Sequence, residues 1–145
     1  MIREGLVRIA LVFPGQGSQT VGMVQALREG AGREVFRVAD EALGEDLGAL
    51  VANGPAEQLD RTENSQPAIL AASVAIHQAW LERAIAAGLP APVFLAGHSM
   101  GQYSAMVAAG VLDLADAVRL VRERGRLMQA APAGSMAAII GLDDA

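Results

Sequence analysis

Val93-Phe94-Leu95-Ala96-Gly97-His98-Ser99-Met100-Gly101-Gln102-Tyr103-Ser104-Ala105 carries a short apolar run into a glycine-flanked serine, then out into an alanine-rich stretch. Pro90 and Pro92 bound the run on one side and Gly97 on the other, so residues 93–96 read as a strand, and the residues from Gly101 to Gly110 read as a helix. Strand, tight turn and helix in that order lift a serine onto a sharp bend at the carboxyl edge of a sheet. The helix after the turn points unpaired N–H groups and a partial positive charge at the same spot, which favours an oxyanion formed on an attacked carbonyl. Ser99 is the candidate nucleophile. An ordinary helix-capping serine is the alternative, and GxSxG alone does not separate the two; the strand before it and the helix after it favour the nucleophile.

Working outward, residues 7–13 form a β-branched and aliphatic strand that stops at Pro14-Gly15-Gln16-Gly17-Ser18-Gln19. In a parallel sheet the loops at the carboxyl ends of neighbouring strands meet in one crevice, so this loop can lie against Ser99 and lend a backbone N–H, with Gln16 as the donor. A plain connecting turn accounts for the glycines equally well. The loop has neither GxGxxG spacing nor a P-loop lysine, which disfavours phosphate cradling. Residues 21–59 hold short helical patterns broken by Gly30, Gly32, Gly44, Gly48 and Asn53-Gly54-Pro55.

Asn64 or Ser65 can cap a helix with Pro67 in its first turn, running to a stop at Gly88, with Leu70, Val74, His77, Leu81 and Ile85 on one face. Asp113 with Asp116 opens a further helix that extends to about Ala131, and residues 136–140 read as the start of another strand. Alternating strands and helices predict an α/β fold with a mainly parallel sheet.

On the helix from Asp113, Leu120, Val121, Leu127 and Met128 surround Arg124, whereas Arg119, Arg122, Glu123 and Arg126 share the opposite face. The spacing therefore predicts an inward Arg124. Its guanidinium then needs an anion, either a distant acid of the fold or the carboxylate of a ligand. His77 and His98 are the two histidines. His77 lies on an apolar stripe, and His98, adjacent to Ser99 in the chain, would face away from its hydroxyl, so neither makes a convincing base. Two histidines without cysteine or an HExxH pattern argue against a metal site.

The 145 residues are 52% hydrophobic, enough for one domain with a real core. A net charge of −5 without a basic run makes nucleic acid an improbable partner. No apolar stretch is long enough for a signal core or a membrane span, and the absence of cysteine fits a reducing compartment, so the cytoplasm is the expected location, with no membrane partner.

Residues 12–19, Gln66-Pro67-Ala68, residues 97–105 and Val121-Arg122-Glu123-Arg124-Gly125 resemble, in order and spacing, the malonyl-CoA:acyl carrier protein transacylases of bacterial fatty-acid synthesis, and the similarity continues through residues 136–142. The resemblance implies an α/β-hydrolase-like core with an inserted ferredoxin-like subdomain. Residues 1–134 would be the amino-terminal part of the core and residues 135–145 the start of the insert. It also implies transfer of malonyl from coenzyme A through Ser99 to the phosphopantetheine thiol of acyl carrier protein. The amides of Gln16 and Met100 would form the oxyanion hole, Arg124 would hold the malonyl carboxylate, and Gln66 would line the pocket. No metal or resident cofactor is implied.

Gln102 stands where the family usually has glutamate, a change expected to be tolerated. The family's catalytic histidine belongs to sequence beyond Ala145, so the expectation is part of a longer polypeptide, or a chain complemented by a second one, inactive alone. An acyltransferase domain of a polyketide synthase, a serine esterase and a non-catalytic carrier-binding fragment are the competing readings. The esterase is disfavoured by the missing HGGG-type loop.

Overall fold

A computed structural model of the chain describes residues 7–27, 30–132, 134 and 141. Strand β1 (Ala10–Phe13) pairs in parallel with β2 (Phe94–Gly97), Ala10 opposite Phe94 and Phe13 opposite Gly97. The expected seven-residue strand is shorter than its apolar run. Val93 N donates to Ile9 O across 2.8 Å just before the ladder, and Pro90 and Pro92 ahead of it disfavour a longer strand.

Between the strands run helices α1 (Ala31–Leu43), α2 (Leu47–Asn53), α3 (Ala56–Leu59) and α4 (Thr62–Ala86). Gly32 and Gly48, expected to interrupt helices, lie inside α1 and α2, whereas Gly44 ends α1 in the left-handed conformation at φ 64°. After β2 come α5 (Gly101–Ala108) and α6 (Leu114–Gln129).

Helix α4 is the centre of the core. Residues 65–75 are all buried, beneath α1, α5 and α6. A helix that is covered on all sides needs no polar face, and the sequence Ala68-Ile69-Leu70-Ala71-Ala72 has none. Of the face expected from periodicity, Leu70, Val74 and His77 are buried, while Ile85 is 75% exposed because beyond His77 only Ala84 is covered.

The helix also starts earlier than an Asn64 or Ser65 cap predicts. The Thr62 amide donates to Gln129 Oε1 on α6 across 3.0 Å, and the Asn64 and Ser65 amides both donate to Arg61 O. A partner remote in sequence thus supplies the cap, and Pro67 falls past the first turn. The stop at Gly88 is as expected, at φ 67°, with Leu89 N donating to Ala84 O.

Helix α6 begins at the Asp113 cap, whose carboxylate accepts from the amides of Ala115 and Asp116. Its buried face corrects the periodicity reading. Ala117, Val118, Val121, Arg122 and Gly125 point inward, whereas Leu120, Leu127 and Met128 are exposed. Small residues decide this: Ala117 and Gly125 let α6 come close to α4, and a Cβ on Gly125 would stand 2.6 Å from Glu63 Cα. Arg122, not Arg124, is the buried arginine. It donates to Glu45 Oε2 across 2.7 Å and hydrogen-bonds Asn64 Oδ1.

Among the described residues no helix is long and apolar enough to cross a membrane. The expected strand at 136–140, and residue 135 at the expected domain boundary, lie outside the described residues.

Candidate active site

Strand β2 ends at Gly97 and α5 begins at Gly101, so His98, Ser99 and Met100 must reverse the chain. Ser99 takes the left-handed conformation at φ 51°, uncommon for a residue with a side chain and typical of strain held at a functional turn. The two glycines are needed for contact. A Cβ on Gly97 would lie 2.0 Å from Gly101 C, and one on Gly101 would lie 2.4 Å from Phe13 O. Ser99 stands exposed at the apex, Met100 sends its side chain into the core at 1% exposure, and Gln102 lies on the exposed side of α5.

The loop after β1 meets this turn, as parallel strands require. His98 N donates to Phe13 O across 3.1 Å, and a Cβ on Gly15 would stand 2.9 Å from both Nδ1 and O of His98. Within the loop, Ser18 Oγ donates to Gly15 O at 2.9 Å, and Gly17 N donates to Gln19 Oε1 at 2.9 Å. The loop is moored to the start of α4. Gln16 Nε2 donates to Thr62 Oγ1 at 3.2 Å and Gln19 Nε2 to Asp60 Oδ1 at 2.9 Å. Among the described residues the backbone amides of Gln16 and Met100 donate to no acceptor.

Arg124 reaches the serine from α6. Its Nη2 donates to Ser99 Oγ at 3.3 Å and its Nη1 to Gln66 Oε1 at 2.7 Å. Gln66 is fully buried, with Nε2 turned to Met128 Sδ at 3.3 Å. Arg124 is half-buried and forms no ion pair among the described residues, so its charge is open to an anionic ligand. Beside it runs a groove of about 370 Å³ lined by Leu120, Glu123, Arg124, Leu127 and Met128, within the volume range of small-molecule sites. Ser99, Gln66 and Arg124 thus meet although 58 residues separate Gln66 from Arg124.

Neither histidine serves the serine. His77 is 8% exposed and forms a T-shaped pair with Phe13, ring centroids 5.9 Å apart, and burial pushes its pKa below the ordinary value. His98 is exposed and makes no hydrogen bond to Ser99, whose side chain has Arg124 as its only partner among the described residues. No group of three or more His, Cys, Asp or Glu among those residues is placed to hold a metal ion.

A strained serine between strand and helix, touched by an arginine without an ion pair among the described residues, with one undonated amide in its own turn and another in the loop packed against that turn, has parts suited to acyl transfer. The acyl transferase domain model matches residues 10–143. The chain belongs to the acyl transferase family. This chain is 54% identical over 145 residues to the malonyl CoA-acyl carrier protein transacylase of Escherichia coli K12, with 97% of this chain and 46% of that protein covered. It superposes with a TM-score of 0.80 on an acyl carrier protein S-malonyltransferase from Vibrio cholerae, 52% identical, over 88% of this chain and 42% of that one. A malonyl-transacylase solved in complex with its type II polyketide acyl carrier protein gives 0.79 at 50% identity, covering 87% and 40%. The chain spans about half the length of the curated relatives it matches.

Two residues that brace the candidate site, and one core residue away from it, escape sequence reading. Thr62 and Gln129 act through contacts 46 and 67 residues away in the chain, which no local pattern announces. Arg122 looks solvent-facing until the small residues of α6 are counted as its contact face.

Proposed function

We propose that this chain supplies the nucleophile, oxyanion donors and carboxylate clamp of a malonyl-CoA:acyl carrier protein transacylase in cytoplasmic fatty-acid synthesis, working without a metal or resident cofactor. The observation that carries the reading is Arg124, held on Gln66 Oε1 and reaching Ser99 Oγ at 3.3 Å with no acid among the described residues to neutralise it. Malonyl has its carboxylate one methylene from the thioester carbonyl. When that carbonyl lies over Ser99, the carboxylate falls within reach of the guanidinium, which can grip it with two N–H groups.

Ser99 Oγ attacks the thioester carbon as a base takes its proton. The oxyanion gathers on the amides of Gln16 and Met100, and the coenzyme A thiolate leaves. The phosphopantetheine thiol of the carrier protein then attacks the malonyl-serine ester and frees Ser99. Arginine does not serve as a base at neutral pH, so the proton acceptor comes from outside the described residues. The relative solved with its acyl carrier protein supports a carrier as the second substrate.

The test uses the natural polypeptide that contains this sequence. Incubated with malonyl-CoA, it gains the mass of a malonyl group, and Ser99→Ala does not. A variant still labelled at another residue would refute Ser99 as nucleophile, and a wild-type protein that hydrolyses neutral esters without taking up malonyl would favour an esterase.

A further inference from the structure

The peptide unit joining Gly15 to Gln16 carries the amide that the transacylase reading makes an oxyanion donor, so any role for the groups that hold it rests on that reading. A trans peptide points its C=O and N–H in opposite directions, so whatever holds one end aims the other. Here the carbonyl end is held by Ser18, whose hydroxyl donates to Gly15 O across 2.9 Å. The amide end belongs to Gln16, whose side chain is tied through Nε2 to Thr62 Oγ1 across 3.2 Å. Gly15 itself is pressed against His98, leaving no room for a Cβ, so the unit is fixed beside the serine turn.

The loop's other ties run through Gln19, which accepts from Gly17 N and donates to Asp60 Oδ1, and neither touches the peptide 15–16. Pro14, Gln16, Gly17 and Ser18 are exposed, and Gly17 sits at φ 100°, where glycine alone is comfortable. Thr62 in turn is anchored from α6 by Gln129 and packs its carbonyl against Gly125, the neighbour of Arg124. The same residue therefore braces the oxyanion loop and the helix that carries the clamp.

We propose that Ser18 and Thr62 are positioning residues for acyl transfer: their hydroxyls hold the peptide 15–16 so that the Gln16 amide faces the oxyanion that forms over Ser99. Donors aimed at charge that develops only in the transition state raise kcat and leave substrate affinity nearly alone. A misaimed amide should therefore show in kcat.

The experiment measures malonyl transfer by the natural polypeptide and by Ser18→Ala, Thr62→Val, Thr62→Ser, Gln16→Leu and the double variant Gln16→Leu with Thr62→Val. Ser18→Ala and Thr62→Val should each lower kcat about three- to ten-fold, the range expected for one lost hydrogen bond, with KM for malonyl-CoA changed less than about two-fold. Thr62→Ser keeps the hydroxyl and should retain most of the rate. Once Gln16 is leucine, Thr62→Val should have no further effect.

Unchanged kcat in both single variants would overturn the proposal, as would a loss carried by KM. An equal loss in Thr62→Val with or without the Gln16 side chain would make Thr62 merely structural and overturn its part. Melting temperatures identify a variant that has lost its fold, and Ser18→Ala, at an exposed position, keeps the test open if Thr62→Val does not fold. Failure of the wild type to form malonyl-Ser99 would strike the transacylase reading instead, and is read before any variant is compared.

Discussion

Arg124 donates to Ser99 Oγ across 3.3 Å, so a guanidinium with no ion pair among the described residues stands beside the strained serine. If the guanidinium binds the substrate carboxylate, Arg124→Ala in the natural polypeptide should cut malonyl transfer about ten- to a hundred-fold, the effect of losing hydrogen bonds to a charged group. Acetyl, with no carboxylate, should be affected far less. Arg124→Lys should recover only part of the loss, because an ammonium lacks the planar fork. Rates of both transfers, measured side by side, decide it; an equal fall for malonyl and acetyl would remove the clamp role.

Gly125 tests how closely α6 must approach α4. A Cβ there would lie 2.6 Å from Glu63 Cα and from Thr62 O, backbone atoms that cannot swing aside. Gly125→Ala gains about 1 kcal/mol of helix propensity but forces the helices apart, an overpacking that costs about 1–3 kcal/mol. The contact should win. Thermal unfolding should show a lower midpoint, and because Arg124 rides on the displaced helix, malonyl transfer should weaken more than acetyl transfer. A raised melting temperature would show that the contact is slack.

These features differ in how far the sequence discloses them. The turn at Ser99 is legible because its causes are local: an apolar run, two glycines at close contacts and a helix succeed one another within a dozen or so residues. The Asp113 cap is legible for the same reason. The inward face of α6 is not, because Leu120, Leu127 and Met128 offer one apolar stripe and Ala117, Val121 and Gly125 another. Only the close approach to α4 chooses between them. Periodicity singles out Arg124 on a wrong premise: the residue is not sunk in the core but sits at its edge, and so it can reach both Gln66 and Ser99. The start of α4 is illegible locally because Gln129, far along the chain, supplies its cap.

Arg122 and Glu45 should respond unequally to removal. Arg122 is 5% exposed and burial lowers its pKa, with Glu45 opposing that shift, whereas the Glu45 side chain is 48% exposed. Glu45→Ala strands a buried cation with Asn64 as its remaining hydrogen-bond partner among the described residues; Arg122→Met fills the same space with apolar atoms and leaves Glu45 in water. Glu45→Ala should therefore destabilise by about 1–3 kcal/mol, and by more than Arg122→Met. Urea titrations of the two variants check the order, and the reverse order would mean that the guanidinium's packing outweighs its charge.

His77 gives the fold a pH dependence of definite sign. Its ring is buried in a T-shaped contact with Phe13, and desolvation lowers its pKa from 6.5. As pH falls through that value the unfolded chain takes up a proton that the folded chain resists, so the unfolded state is favoured and stability drops with acidification. Above 6.5 both states are neutral at this position and the contribution is fully present. The difference in stability between about pH 8 and about pH 5 should thus be larger in the wild type than in His77→Leu, which keeps an apolar side chain against Phe13 and removes the proton site. Titrating carboxylates act on both proteins alike and cancel in the comparison. Equal pH dependence in the two would show that the imidazole reaches water on protonation, and that the contact with Phe13 does not hold the ring neutral.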